Sequence, residues 1–221
     1  FRIGDRDTAT HLTRTNMLKN GKSLSDITKW MCEKFAIETK IIPVSDHSIE
    51  TRLITDKGEM HLQEYWVKYR GKDTVKGIEY MGSDKARPNP EALNSIHDAS
   101  LVVIAPGNPL TSIGPMIQLK GVRKELIKNK RKVVAVSPIV GDKALSGPAG
   151  KYMEAAGLEV SAYGIAKLYA DICSHIVIDT KDRMQTKKIE ALGMHVHETS
   201  IKMTNKKSED ALASYLLNHI H

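Results

Sequence analysis

The sequence is poor in cysteine and aromatic side chains, and it has no long apolar run. Only two of its 221 residues are cysteines, Cys32 and Cys173. They form no C-x-x-C pair, and no His and Cys residues cluster at zinc spacing. A disulfide framework and a zinc module are therefore excluded, and two reduced thiols in a cytoplasmic protein are expected. Phenylalanine and tryptophan number two each, too few for the stacking platforms of a single-strand nucleic-acid binder. No apolar stretch approaches the roughly 20 residues of a membrane-crossing helix, so neither membrane nor nucleic acid is expected as a partner. Ser146-Gly147-Pro148-Ala149-Gly150-Lys151 lacks the G-x-x-x-x-G-K-S/T spacing, which sets aside a Walker-type ATPase. Internal repeats and low-complexity segments are absent.

What remains is an ordinary globular balance, 41% hydrophobic and 27% charged. The length suits one good-sized core and is too short for two ordinary domains. We read residues 1–221 as a single α/β domain. Lysine and arginine exceed aspartate and glutamate by 33 to 26, a net charge of +7. That sign favours an anionic partner, either a phosphate-bearing small molecule or nucleic acid. Lys120, Lys124 and Lys128 are spread over a helix face, the usual solvated pattern.

Periodicity predicts a helix over Asp7–Lys19. A second follows the capping-box pattern Ser23-Leu24-Ser25-Asp26 and carries Ile27, Trp30, Met31 and Phe35 at helical spacing. β-Branched Thr39–Ile42 predicts a strand. Ile49–Thr55 and Met60–Val67 flank the turn Asp56-Lys57-Gly58, and Val75–Met81 adds a strand, so residues 39–81 read as a β-rich insertion. This insertion is also the candidate surface for a homodimer. Beyond Pro90, apolar strands at 101–105, 132–136, 175–179 and 194–196 alternate with helices at 91–97, 121–129, 151–156, 165–172, 182–192 and 208–217. That alternation predicts a mostly parallel sheet covered on both faces.

Ligands of open parallel sheets bind beyond the carboxyl ends of the strands. Leu101–Ala105 runs into Pro106-Gly107-Asn108-Pro109-Leu110-Thr111-Ser112-Ile113-Gly114-Pro115. Lys132–Val136 runs into Ser137-Pro138-Ile139-Val140-Gly141 and then Ser146–Lys151, and His175–Asp179 ends in Asp179-Thr180-Lys181-Asp182-Arg183. Glycines let a backbone approach a ligand, and hydroxyls with free N–H groups can cradle a phosphate. Asn108, Thr111, Ser112, Ser137, Ser146 and Gly147 are therefore candidate phosphate ligands. A second dense cluster, Gly4-Asp5-Arg6-Asp7-Thr8 with His11 and Arg14, opens the first helix. Its two carboxylates beside an arginine suit a metal or a hydroxyl-bearing substrate, or simply an exposed cap. Ser45-Asp46-His47 reads as a turn or cap, and His195 and His197, alternating on a strand, are a weak metal candidate.

The ordered set of segments resembles a known family. It comprises Gly4–His11, Ile41–Asp46, Gln63–Val67, Asn108–Pro115, Ala135–Ile139, Ser146–Lys151, Glu159–Ala162 and Ile178–Asp179 with Asp182. It is similar to the 2-phospho-L-lactate transferase family of deazaflavin coenzyme F-420 biosynthesis, almost from end to end. The resemblance implies a Rossmann-like three-layer fold. It also implies transfer of a phospholactyl or phosphoenolpyruvyl group from a guanosine diphosphate-linked donor to the hydroxyl of 7,8-didemethyl-8-hydroxy-5-deazariboflavin, with release of GMP and a requirement for Mg2+. It gives Asp5 and Asp7 as catalytic residues, with Asp5, Arg6 and His11 at the deazaflavin acceptor. Family members begin with a strand, a glycine-rich loop and an acidic segment. The resemblance thus implies that these parts, with the main metal ligands, precede Phe1; Asp5 is a further candidate metal ligand. The competing expectation is a non-catalytic nucleotide-sugar-binding regulator of the gluconeogenesis-factor type.

Overall fold

The structure, a computed structural model, describes residues 3–220. In chain order, α1 (Asp5–Lys19) and α2 (Leu24–Lys34) precede β1 (Glu50–Thr55), β2 (Gly58–His61), α3 (Leu62–Val67) and β3 (Val75–Met81). There follow α4 (Pro90–Asp98), β4 (Val102–Ile104), α5 (Gly114–Ile117), α6 (Lys120–Lys128) and β5 (Val133–Val136). After these come the β6–β7 hairpin (Ile139–Val140 and Lys143–Ala144), α7 (Ala149–Ala155) and α8 (Ala162–Tyr169). The chain closes with β8 (His175–Ile178), α9 (Thr186–Glu190), β9 (His195–Glu198) and α10 (Lys206–His219).

The main sheet is parallel, in the order β4-β5-β8-β9. Each new strand is added on the same side, so successive crossovers stack their helices on one face. Alternation along each strand then divides the side chains. Val133, Ala135, Ile176 and Ile178 pack with Val122, Leu126, Met153, Ile165, Ile172 and Ile189 in the larger core. Val134, Val136 and Val177 point the other way and pack under Leu212, Leu216 and Ile220 of α10 and its end. β5 is buried at all four positions, as a strand covered on both faces must be. Cys173 lies in the larger core, where burial pushes its thiol up to about 12. Cys32 is partly exposed, and neither forms a disulfide.

The segment read as β-rich forms a separate antiparallel sheet, β2-β1-β3. Its core of Leu53, Met60, Tyr65 and Val75 includes Tyr152 from α7, which ties it to the main body. Two strand expectations are corrected here. Residues 39–42 form no strand: Pro43 ends the run, Ile41 stays half exposed, and Lys40 pairs with Glu91 rather than with a sheet edge. The expected strand 60–67 stops at His61, whose Nδ1 accepts from Gln63 N at 3.0 Å and caps α3. Tyr65 is buried there while Val67 is exposed, so the apolar content that suggested a strand serves one face of a short helix. The helices at the start of the chain follow the sequence closely. Ser23 and Asp26 exchange the bonds of a capping box, and Asn89 caps α4 with Pro90 at its first position.

Candidate functional site

Beyond β4 the chain is folded by its own polar groups. Asn108 Oδ1 accepts from Leu110 N at 3.0 Å and Thr111 N at 3.1 Å, and Asn108 O accepts from Ser112 N and Ile113 N, both at 3.0 Å. Tyr80, on β3, reaches across to donate to Leu110 O at 2.5 Å. Gly114 makes that approach possible, because a Cβ there would lie 2.2 Å from the Tyr80 hydroxyl. Beyond β5, Ser137 is fully buried. Its hydroxyl donates to Ile139 O at 3.0 Å and accepts from Ile139 N at 3.1 Å. Leu145 N then bonds back to Pro138 O at 2.9 Å, so the β6–β7 hairpin returns Ser146 and Gly147 to the strand end.

The two loops enclose a cleft of about 430 Å³ lined by Asn108, Thr111, Ser112, Ser146 and Gly147, with Trp66 and Tyr152 on its wall. The structure thus brings together five of the six phosphate candidates. Ser137 is absent from the lining; its hydroxyl holds the turn. Thr111, Ser112 and Ser146 have side-chain hydroxyls that bond to no other described residue, and no charged residue lines the cleft. Tyr152 is fully buried and its hydroxyl has no partner among the described residues. Burial pushes that phenol well above the ordinary tyrosine range.

A second cleft of about 560 Å³ adjoins the first and shares Pro106 and Ser146 with it. Lys143, Lys181 and Lys202 line it with Thr204 and Met203. Below it lie buried Asp179 and Asp182, whose oxygens accept from backbone amides. One oxygen of Asp182 has no partner among the described residues. Burial, then the neighbouring Asp179, raises its carboxyl above the ordinary range.

Sequence reasoning missed Trp66, Tyr80, Tyr152, Lys143 and Lys202, and it placed Lys181 in a strand-end loop without giving it a role. Trp66 lay hidden in a segment read as strand. Each lysine follows a strand end by a few residues, a signal that was visible. Lys151, read with the second loop, does not enter either cleft. It donates to Tyr65 Oη at 2.5 Å, to Gly71 O at 2.9 Å and to Asp73 O, and so staples α7 to the small sheet.

The N-terminal cluster stands apart from both clefts. Asp5 Oδ1 accepts from Arg6 N at 2.9 Å, and Asp7 Oδ2 from Gly4 N at 3.3 Å. α1 buries none of its residues and packs chiefly on α2. Arg6 lines a mostly apolar groove of about 360 Å³ with Trp30, Met31 and Phe35. His11 is exposed. Asp46 accepts from Ser25 N and Oγ at 2.7 and 2.8 Å, which makes the Ser45-Asp46-His47 segment a stitch to α2. His195 and His197 lie beside His175, with His175 Nδ1 3.1 Å from His197 Nε2. Among the described residues, no group of three or more His, Cys, Asp or Glu is arranged to hold a metal ion.

Comparison with known proteins bears on this geometry. A model of the family described as 2-phospho-L-lactate transferase CofD matches residues 1–215. The chain is 41% identical to the 2-phospho-L-lactate transferase of Methanosarcina mazei over 98% of its own length and 71% of that protein. It is 43% identical to the enzyme of that name from Methanocaldococcus jannaschii, over 86% of this chain and 61% of that protein. It is also 35% identical to a phosphoenolpyruvate transferase of Streptomyces griseus, over 98% and 70%. Two crystal structures of a Bacillus halodurans protein of the UPF0052 family share the fold. Their TM-scores are 0.65 and 0.58 at 15% and 16% identity, covering 92% and 89% of this chain and 70% and 69% of theirs.

Proposed function

The chain belongs to the 2-phospho-L-lactate transferase CofD family, and from that premise we propose that its two strand-end loops bind the donor of a phosphoryl transfer in coenzyme F-420 biosynthesis. The donor is a guanosine diphosphate-linked phospholactate or phosphoenolpyruvate, the acceptor is 7,8-didemethyl-8-hydroxy-5-deazariboflavin, and GMP leaves. The observation that carries this reading is the convergence of Asn108, Thr111, Ser112, Ser146 and Gly147, from two separate loops, on one cleft at the carboxyl ends of adjacent parallel strands. The transferring phosphoryl group would lie there. Unengaged hydroxyls can donate to its non-bridging oxygens, and Asn108 and Ser137 hold the loops that present them. Relatives that are transferases by name cover nearly the whole chain, which favours this reading over a nucleotide-sugar-binding regulator.

The acceptor half of the proposal rests on the sequence pattern. Asp5 and Asp7 open α1, where a carboxylate can take the proton of the attacking hydroxyl, and Arg6 and His11 would contact the deazaflavin. Mg2+ enters the proposal only as a partner of the donor phosphates. The described side chains offer no three-ligand cluster for it.

Calorimetry with GDP and GMP tests the donor half. Binding of guanine nucleotide is expected, with GDP, which keeps the second phosphate, weakened on altering the hydroxyl loops; binding of a nucleotide-sugar in its place would defeat the reading. Asp5→Asn tests the acceptor half, with melting and turnover measured together. A catalytic carboxylate predicts near-normal melting and turnover lower by roughly a hundredfold, whereas intact turnover would reduce Asp5 to an exposed cap.

A further inference from the structure

The second cleft has features that a solvated patch of lysines lacks. Lys143, Lys181 and Lys202 come from three different segments and meet in one concavity. None of the three makes an ion pair or a side-chain hydrogen bond with another described residue. The segments that carry them are fixed from beneath by two buried carboxylates. Asp179 Oδ1 accepts from Lys181 N at 3.1 Å, and its Oδ2 accepts from Ile201 N, one residue before Lys202, at 3.3 Å. Asp182 Oδ1 accepts from Gly141 N, two residues before Lys143, at 2.9 Å. Asp179 spends both oxygens on backbone amides, Asp182 Oδ1 serves Gly141 N and Gln185 Nε2, and neither carboxylate pairs with any of the three amines.

Resting on the reading given above, we propose that Lys143, Lys181 and Lys202 hold the phosphate of the departing nucleoside monophosphate, and that Asp179 and Asp182 are positioning residues for them. The charge balance of the reaction explains why the cations stand here. The acceptor oxygen forms a bond to the phosphorus that carries the three-carbon acid. The bond from that phosphorus to the bridging oxygen breaks, and its electron pair leaves on that oxygen with GMP. The hydroxyl proton passes to a carboxylate, placed at Asp5 or Asp7 in this reading. The transferred phosphorus keeps one negative charge, while the phosphate of the leaving nucleotide goes from one charge to two. The hydroxyl cleft has no charged lining and suits the first group; the lysine cleft suits the second. Ser146, common to both, marks the boundary where the bridging oxygen would lie. Donors aimed at the place where charge develops lower a barrier most effectively.

The test is GMP binding to the intact protein by calorimetry, at low and raised KCl, with turnover measured alongside. Lys143→Gln, Lys181→Gln and Lys202→Gln are compared with Lys124→Gln, an exposed α6 lysine that makes no ion pair. Each cleft variant should weaken GMP roughly tenfold, the scale of one charged hydrogen bond. The triple variant should also lose most of its salt dependence, because the screened charges are gone. Lys124→Gln should match the wild type. Asp182→Asn should weaken GMP in the wild-type background but not when added to Lys143→Gln, a coupling that a merely structural role would not produce. Unchanged GMP affinity in a normally melting triple variant, with binding lost in Thr111 and Ser112 variants, would overturn this inference and leave the donor reading standing. A wild-type protein that binds neither GDP nor GMP would overturn both.

Discussion

At the scale of the residue, the difference between Ser137 and its neighbours decides what a substitution tests. All are small hydroxyl residues at strand ends and were indistinguishable in sequence. Ser137 is fully buried with its hydroxyl spent on Ile139, whereas Thr111 and Ser112 border the cleft. Thr111→Val and Ser112→Ala should therefore leave melting nearly unchanged and raise the transfer barrier by roughly 1.5–3 kcal/mol each, read as kcat/KM. Ser137→Ala should do the reverse in part. It strands the Ile139 amide and carbonyl, so the melting temperature falls along with activity. Equal kcat/KM for wild type and both loop variants would reduce these loops to turns. The loop residues were legible because Gly, Ser, Thr and Pro after an apolar run carry a position as well as a composition. Trp66 and Tyr152 were not legible, since an aromatic residue announces burial but not which cavity it walls.

At the scale of the element, the small antiparallel sheet is a support for the site as well as an insertion. It sends Tyr80 to Leu110 and carries α3, whose Trp66 walls the hydroxyl cleft. Gly71, at φ +66, passes beneath that indole, where a Cβ would lie 2.9 Å from the ring. Lys151 binds the assembly to α7 through Tyr65, Gly71 and Asp73. Lys151→Met keeps the aliphatic stem but leaves the Tyr65 hydroxyl, with its single proton, to serve both the Gly71 and Asp73 carbonyls. The expected cost is about 2–3 kcal/mol, with faster hydrogen exchange confined to residues 58–75. Donor KM should rise as the Trp66 wall loosens. Exchange that rises uniformly, or not at all, would show that the staple does not hold this element. Strands β1 and β3 were readable from alternation and the Asp56-Lys57-Gly58 turn. The helix α3 was not, because six residues with Tyr, Trp and Val satisfy a strand pattern as well as one helical turn and a half, and only the His61 cap settles the matter.

At the scale of the whole molecule, the parallel sheet was legible because strands buried on both faces are continuously apolar, and β5 has no exposed position. The meeting of distant segments was not. His195 and His197 showed only as an alternation, but strand register sets His195 against His175, and α10 brings His219 near. Burial first, then the neighbouring imidazoles, lowers both His175 and His197 from the ordinary value of 6.5. The sign follows from which state binds the proton. Below the ordinary value the unfolded chain takes up protons that the folded one refuses, so stability falls as pH drops through 6.5 and is undiminished above it. Glu159 and Glu198, whose carboxyls are held below their ordinary 4.5 by hydrogen bonds from Ser161 and Lys188 and from Arg183 and Thr186, lose stability only at more acidic pH. The histidine loss therefore begins at higher pH than theirs, while buried Asp182, whose carboxyl is raised from 3.8, acts with the opposite sign as it takes up its proton. Melting measured from about pH 7.5 to about pH 5 should show a decline over that range, at roughly 2–4 °C for each kcal/mol lost. His197→Gln, which cannot take up a proton, should flatten the decline. Hydrogen exchange at acid pH should rise first in α10, the only helix of the described chain whose side chains pack on that face of β5 and β8. A decline of the same slope in His197→Gln would place the proton uptake elsewhere.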